Sequence, residues 1–436
     1  MKPTLRLLAV LAMAACEAPP APTPAPSTPA PVPVAAPWSD AWILAHAPAY
    51  LADTAARRAA LEASLINPAN LYSRIRLASY GHGTRGWDLL PAWNPRSMPV
   101  TRDLADQLAR GDMPAIPAGR APLWNGVTPT TMAEWVALGR RVFFEYPMRA
   151  EVFMEYGLTQ PALADAVGVQ RTRDGDVPGL VVFANVDGET RVGITCAICH
   201  ATVKDGDVIA GQARRTFDYG KLRLTFDQVH GTLRSPEEAK RMASWGPGRA
   251  DVTEDDDEDP VAIPDLWGLR AQRWLTQAGT IQHDSPLALA IRQETQLTDS
   301  NHARVRPPRE LAWALAMYVY ALTPPARAAT IDARGEALFD EHCAKCHENA
   351  ARGGRLITAS TIGTDPALAT GRGRGTGKYR VPSLLGVADG APYLHDGSVR
   401  SLDELLSPAR TAPGHPAGTT LSEADRASLI AFLGTL

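Results

Sequence analysis

Three observations predict a mainly α chain of two similar domains, with a short β-hairpin inserted in the first and a helical extension in front. One pentapeptide occurs twice, as Cys196-Ala197-Ile198-Cys199-His200 and Cys343-Ala344-Lys345-Cys346-His347. A glycine-bearing amphipathic helix precedes each copy: Leu138-Gly139 through Val142, Phe143 and Phe144 for the first, Gly335 through Leu338, Phe339 and His342 for the second. An apolar helix closes each unit. The first is Arg309 to Leu322, stopped by Pro324 and Pro325. The second starts at Ser422, with Asp425 completing a capping-box-like pair, and buries Leu429, Ile430, Phe432 and Leu433.

The pentapeptide carries the chemistry. C-x-x-C-H is the attachment pattern of a c-type haem. Two cysteines on one tight turn become thioethers to the porphyrin vinyl groups, and the adjacent histidine lies under the iron. A redox C-x-x-C or half a zinc site is the alternative, and two coincidental copies in a chain with five cysteines argue against it. The expected cofactors are therefore two covalent haem c groups, held by Cys196, Cys199 and His200 and by Cys343, Cys346 and His347. The paired helices around each motif then read as cytochrome c-like domains. The fifth cysteine is Cys16, so no disulfide is expected in the body.

From the N-terminus, Lys2 and Arg6 precede an apolar run, Leu5 to Ala15, too short to span a bilayer. This reads as an export signal, as covalent haem attachment requires. Leu11-Ala12-Met13-Ala14-Ala15-Cys16 resembles a bacterial lipobox, with Met13 where Leu is usual. It implies cleavage after residue 15, a lipid anchor at Cys16 and a periplasmic, membrane-tethered lipoprotein. Residues 17–37 are mostly Ala and Pro and form an extended tether, at about 3.1 Å per residue. Residues 38–130 are an N-terminal helical extension, whose Trp and Pro content suggests packing on the body. The first haem domain spans 131–325, with strands Leu180 to Val186 and Glu189 to Ile194 turning about Asp187-Gly188. The second spans 326–436. A net charge of −3 and low aromatic content offer nothing to nucleic acid. The acidic run Glu254-Asp255-Asp256-Asp257-Glu258-Asp259 reads as a solvated loop, with Ca2+ binding as the lesser reading.

The C-terminal domain resembles the bacterial dihaem cytochrome c peroxidase superfamily, which includes the methylamine-dehydrogenase-maturing dihaem enzyme and, more distantly, the dihaem rubber oxygenases. The resemblance rests on Gly377-Lys378-Tyr379-Arg380-Val381-Pro382-Ser383-Leu384 and on Ala391-Pro392-Tyr393-Leu394-His395-Asp396-Gly397-Ser398-Val399. The separation of the two motifs, 343 − 196 = 147 residues, also agrees. Gly414-His415-Pro416 is similar to the rubber-oxygenase side. The likeness covers 190–436 and does not reach 38–130.

The sixth iron ligand decides between electron transfer and chemistry. No methionine follows Met317, so a His/Met site within the second domain is excluded. His415 is the favoured ligand there through the resemblance, then Tyr393, then His395, which is expected to hydrogen-bond near Asp396 or a haem propionate. In peroxidases of this superfamily a Trp lies between the haems and a Glu serves as distal acid/base. The matching stretch here reads Gln277-Ala278-Gly279. Trp274 is the nearest substitute, Trp267 the lesser one, and Glu294 falls near the acid/base position. His283 or His302, if either ligated the first iron, would close that site. The resemblance implies reduction of hydrogen peroxide at the first haem, with electrons from a small redox protein entering through the second. A dihaem oxygenase or oxidase using O2 or peroxide on an organic or protein substrate, or a non-catalytic dihaem carrier, are the competing readings.

Overall fold

The computed structural model describes residues 35–436 apart from 256, 258, 328 and 329. The leader, Cys16 and most of the tether lie outside the described residues. The chain is mainly helical, with small antiparallel strand pairs. No helix among the described residues is long and apolar enough to cross a membrane.

Each pentapeptide sits beside one crossing of two helices. In the first unit the helix Met132–Glu145 starts on a full capping box, Thr131 with Glu134. It lies across Arg309–Ala321, in which every residue from Leu311 to Tyr320 is buried. In the second unit Ala333–His342, capped by Asp332, lies across Glu423–Leu433, capped by Ser422. A glycine makes each crossing close. A Cβ on Gly139 would lie 1.9 Å from the Ala314 carbonyl oxygen and 2.7 Å from Tyr318 Cβ. A Cβ on Gly335 would lie 2.1 Å from the Ser428 carbonyl oxygen and 2.8 Å from Phe432 Cβ. In both units the glycine meets a backbone carbonyl and the side chain four residues on, so the two crossings share one geometry.

The contact predicts the sign of a substitution. Gly→Ala inside an exposed helix gains roughly 0.5–1 kcal/mol. Here Gly139→Ala and Gly335→Ala each lose about 1–3 kcal/mol, because a backbone carbonyl cannot move aside for the methyl. Thermal unfolding of the haem-loaded protein measures this, and a raised Tm in either variant contradicts the packing.

The hairpin runs Leu180–Ala184 against Thr190–Ile194, with Ala184 opposite Thr190. It is shorter than the sequence suggests. Asn185 Oδ1 accepts from the amides of Asp187 and Glu189, which draws residues 185–189 out of the ladder into the turn. Two short strands complete a four-stranded sheet: Ser97–Pro99 from the extension pairs with the first hairpin strand, and Arg149–Ala150 with the second.

The extension contributes the helices Asp40–Ala45, Ala47–Ala52, Thr54–Ser64, Leu71–Ser79 and Arg102–Ala109. Side-chain caps from Ser39, Asp53, Asn70 and Thr101 begin four of them. It buries Tyr50, Leu61, Tyr72, Tyr80 and Trp87 in the core of the first unit. It also reaches the second: the amides of Leu71 and Tyr72 donate to the carbonyls of Arg372 and Gly373, at 2.9 and 3.0 Å.

Candidate functional site

The first pentapeptide is the continuation of the hairpin. The Thr190–Ile194 strand ends, Thr195 bonds back to the Gly179 carbonyl, and Cys196 opens a single helical turn, Ala197–His200. Gly179 (φ 94°) is needed here, since a Cβ would lie 2.2 Å from the Ile198 nitrogen. Buried Arg214 staples the turn by donating from Nε to the Ala201 carbonyl and from Nη2 to the Pro178 carbonyl, each at 2.9 Å. Burial would push the Cys196 and Cys199 thiols up to about 11. They are therefore neutral apolar groups at a cavity wall rather than reactive thiolates.

The second pentapeptide caps its opening helix. Cys343 N–H bonds to the Phe339 carbonyl, and His347 N–H to the Cys343 carbonyl.

The two histidines share one arrangement. His200 Nδ1 lies 3.1 Å from the Pro264 carbonyl oxygen, and His347 Nδ1 lies 2.6 Å from that of Arg352. A carbonyl can only accept, so each Nδ1 carries the proton and each Nε2 keeps its lone pair. Burial holds both rings neutral, pushing His200 down to about 4 and His347 below its usual value. A neutral imidazole with its second nitrogen oriented by a carbonyl is what an iron requires.

A cavity adjoins each histidine. The first, about 490 Å³, is lined by Cys196, Cys199, His200, Leu289, Arg292, Gln293 and Gln296, with apolar cover from Phe143, Leu315 and Val319. The second, about 280 Å³, is lined by Cys343, Cys346, His347, Tyr393, His395 and His415. Ile263, Pro264, Asp265, Gln277 and Arg380 line both and form the wall between them. The residues fit a haem in each cavity. Both have cysteines and a histidine on one side, an apolar lining, and buried guanidinium donors without protein acceptors, Arg215 Nε and Arg380 Nε, suited to propionate carboxylates.

The structure separates the candidate ligands. His415 is half-buried near His347; burial first and then the neighbouring His347 hold it down to about 4, and its Nδ1 has no partner. Tyr393 lines the same cavity, but its hydroxyl donates to the Val387 carbonyl at 2.8 Å. His395 does not bond Asp396. Its Nε2 lies 3.1 Å from the Tyr379 hydroxyl, and its carbonyl accepts from Ala262, tying the signature loop to the shared wall. In the first cavity His200 is the only histidine among the described lining residues. His302 is exposed, and His283 is buried against Tyr320, away from both cavities. Met148 lines the first cavity where its amide bonds Ile194, beside the Cys196 edge.

Two expectations are corrected. Glu294 does not face the first cavity. The helix Pro286–Ser300 turns Leu289, Arg292, Gln293 and Gln296 inward, and at 100° per residue Glu294 falls on the other face. There it accepts hydrogen bonds from the Tyr50 and Tyr80 hydroxyls at 2.8 and 2.7 Å, with Arg309 Nε 3.6 Å away. Glu294→Gln should therefore leave peroxide turnover within about twofold of wild type, while Glu294→Ala should lose about 1–3 kcal/mol by leaving two buried phenols without an acceptor, Arg309 keeping Asp88. Turnover assays and thermal melts test both. Trp274 lines neither cavity and packs under the Arg273 guanidinium. The aromatic near both sites is Trp267. It lines the second cavity and donates from Nε1 to the Ala210 carbonyl at 3.0 Å, next to the Gly211 amide that bonds the His200 carbonyl. Gln277 does stand in the shared wall, an amide where the resemblance implies an indole.

Among the described residues of the acidic run, Asp255 accepts from Thr253 and Asp257 pairs with Arg372, and Glu254 is held most firmly. Glu254 takes both Nε and Nη2 of Arg374 and approaches Arg76. No group of three His, Cys, Asp or Glu side chains among the described residues is placed to hold a metal ion, so the Ca2+ reading gains no cage here. Burial first, then the Asp251 and Asp255 charges, push Asp259 up to about 7. The folded state thus binds a proton that the unfolded chain releases near about pH 4, and stability falls as pH rises between these values. Asp259→Asn should raise Tm more at pH 8 than at pH 5. A bound calcium would reverse that sign and make wild-type Tm fall on adding EDTA.

Residues 333–436 match the cytochrome c family. Among solved structures, the chain is similar to a MauG-like protein associated with microbial copper homeostasis, at 17% identity over 79% of this chain and 95% of that one, TM-score 0.37. It is also similar to hydrazine synthase of Kuenenia stuttgartiensis, at 15% identity over 74% and 98%, TM-score 0.34. No curated protein matches. The match makes the C-terminal unit a cytochrome c domain, which agrees with the resemblance of that unit to the dihaem superfamily and supports haem c as its cofactor.

Proposed function

We propose that this chain is a dihaem c oxidoreductase that reduces hydrogen peroxide at the cavity built on His200, with electrons from a small redox protein entering through the cavity built on His347. The observation that carries this is the asymmetry of the two cavities. The second has both His347 and His415 in its lining, and the two would hold an iron between them as a site suited to electron relay. The first offers no second histidine among its described lining and presents a polar face instead.

Haem iron would supply the electron transfer and the binding position for a small oxidant. The chain's residues do the rest. Arg292, with Nη1 donating to Gln293 Oε1 at 3.0 Å, sets a cation beside the position of an anionic oxygen. Gln293 and Gln296 add amide donors, and Phe143, Leu289, Leu315 and Val319 exclude bulk water. Arg380 in the shared wall lies within reach of a carboxylate on either side. Trp267 and Gln277 occupy the path between the sites.

One observation favours a second reading, activation of O2 toward an organic substrate. The inward face of Pro286–Ser300 holds no carboxylate until exposed Asp299 at its end, and the other carboxylates of the lining are engaged, Glu254 by Arg374, Asp265 by Arg215 and Asp251 by Thr253, so acid/base assistance to peroxide cleavage is thinner than in a free glutamate site. The lipid anchor at Cys16 and the periplasmic location remain part of the proposal, supported by the leader and by the chemistry of haem attachment.

The experiment is ferric-state EPR followed by steady-state peroxide turnover with a reduced small cytochrome. One high-spin and one low-spin haem with turnover supports the first reading. The same spectrum with O2 uptake and no peroxide turnover supports the second, and two low-spin haems leave a carrier.

A further inference from the structure

A buried pair outside both cavities has the geometry of a redox site. His283 and Tyr320 are 1% and 7% exposed. His283 Nδ1 lies 2.7 Å from the Gln272 carbonyl oxygen, so Nδ1 bears the ring proton. Its Nε2 is therefore the acceptor in the 2.5 Å contact with the Tyr320 hydroxyl, and the phenol donates. Burial supports this assignment, holding His283 down to about 4 and Tyr320 well above its usual value. The pair begins as neutral imidazole and neutral phenol.

Aromatic rings continue from the pair to the surface. Trp38 packs on both members, with ring centroids 4.8 Å from His283 and 6.0 Å from Tyr320. Trp42 lies 5.1 Å from Trp38, and His46 lies 4.2 Å from Trp42. Trp38 and Trp42 are partly exposed. Arg270 pins the start of this chain, donating from Nε to the Trp38 carbonyl at 2.8 Å and pairing with Asp40 at 2.9 Å. The inner end approaches the second cavity. The carbonyl that orients His283 belongs to Gln272, whose buried amide has no partner and abuts Gly353, next to the Arg352 carbonyl that orients His347.

We propose that Tyr320 is a proton-coupled one-electron redox site, with His283 as its proton acceptor and Trp38 and Trp42 as its connection to the surface of the extension. One electron leaves the Tyr320 ring for a one-electron oxidant. The phenolic O–H bond breaks, and its proton forms an N–H bond at His283 Nε2. The products are a neutral tyrosyl radical, an imidazolium and the reduced oxidant. A donor at Trp42 returns the electron, and the proton moves back. The hydrogen bond makes the step possible, because it gives the acidic phenol radical cation a base already in contact. In the working protein a haem would supply the one-electron oxidant. That clause alone rests on the proposed function.

The test uses an external oxidant and so does not depend on turnover. Full-length holoprotein carrying ring-deuterated tyrosine is flash-quenched with ruthenium tris(bipyridine), frozen and examined by EPR. The expected result is a radical whose signal narrows on deuteration, is lost in Tyr320→Phe, and forms on the order of 10²-fold more slowly in His283→Gln. Trp38→Phe delays its appearance. Absence of a tyrosyl signal in the wild type, or the same signal in Tyr320→Phe, overturns the proposal. If Tyr320→Phe fails to load haem, the wild-type rate in D2O and the Trp38→Phe delay decide, and no change in both overturns it. Failed peroxide turnover with an intact radical would sink only the proposed function.

Discussion

His415→Ala should convert the second haem from six- to five-coordinate, and the change should be visible before any assay. The low-spin ferric signal assigned to that haem disappears, a high-spin signal takes its place, and added imidazole restores the original. The other lining residues are poorly placed to substitute: His342 ends the opening helix immediately before Cys343, with its Nε2 3.6 Å from Glu341. No methionine follows Met317, the Tyr393 hydroxyl is committed to the Val387 carbonyl, and His395 is held by Tyr379 and Thr364. Electron entry then suffers, because a bis-histidine iron changes geometry little between oxidation states and a five-coordinate one does not. Turnover with a protein donor should fall at least the roughly 10- to 100-fold that loss of an outer partner of a metal ligand costs. Tyr393→Phe is the control and should leave the spectrum unchanged. If instead Tyr393→Phe removes the low-spin signal and His415→Ala does not, the ligand assignment is wrong.

His415 also shows how much was legible in advance. Its φ of 47°, with its amide bonded to the Ile362 carbonyl and its own carbonyl to Arg410, places it in an irregular loop, where periodicity says nothing. The one sequence signal for it is the glycine and the proline that flank it in a recognisable string. The pentapeptides, the two opening glycines and the closing helices were readable, since each is local: a turn, a crossing residue, an apolar face. The hairpin was readable for the same reason, and only its ends moved when Asn185 captured the turn amides. Glu294 failed for a nonlocal reason. It lies two residues from Arg292, so a helix places the two on different faces. Which face met the cavity depended on Tyr50 and Tyr80, which arrive from more than 200 residues away in sequence. The extension had no motif to announce it, yet it supplies those phenols, one edge strand and the Trp38 and Trp42 rings. A spacing argument could have found Arg292, because Leu289, Arg292, Gln293 and Gln296 share one helical stripe. A polar stripe of Arg292, Gln293 and Gln296 on a helix that is otherwise largely buried is the signal there.

The largest loss of activity should come from that arginine. Arg292→Leu is expected to reduce peroxide turnover by about 10²–10³-fold, the range for removing one preorganised charge donor from a developing oxyanion. The guanidinium is half-buried near the like charges of Arg374 and Arg76, and burial pulls its pKa below the usual value. A cation held there without a carboxylate on its own helix face needs an anionic partner to justify its cost. A bound oxygen anion is one such partner and a haem propionate is the other. The two roles separate experimentally. If Arg292 serves the oxygen anion, Arg292→Leu keeps full haem content and an unchanged first-haem potential, loses turnover, and Arg292→Lys recovers a part of it. If it serves a propionate, haem content or potential moves first and turnover follows. Gln293→Leu, which removes the side chain that fixes the guanidinium, should cost about tenfold by letting the cation drift, less than losing the charge itself. Turnover within twofold of wild type in Arg292→Leu would show that the inward stripe of Pro286–Ser300 is not where the chemistry happens, and the search would pass to the O2-using reading of the same cavity.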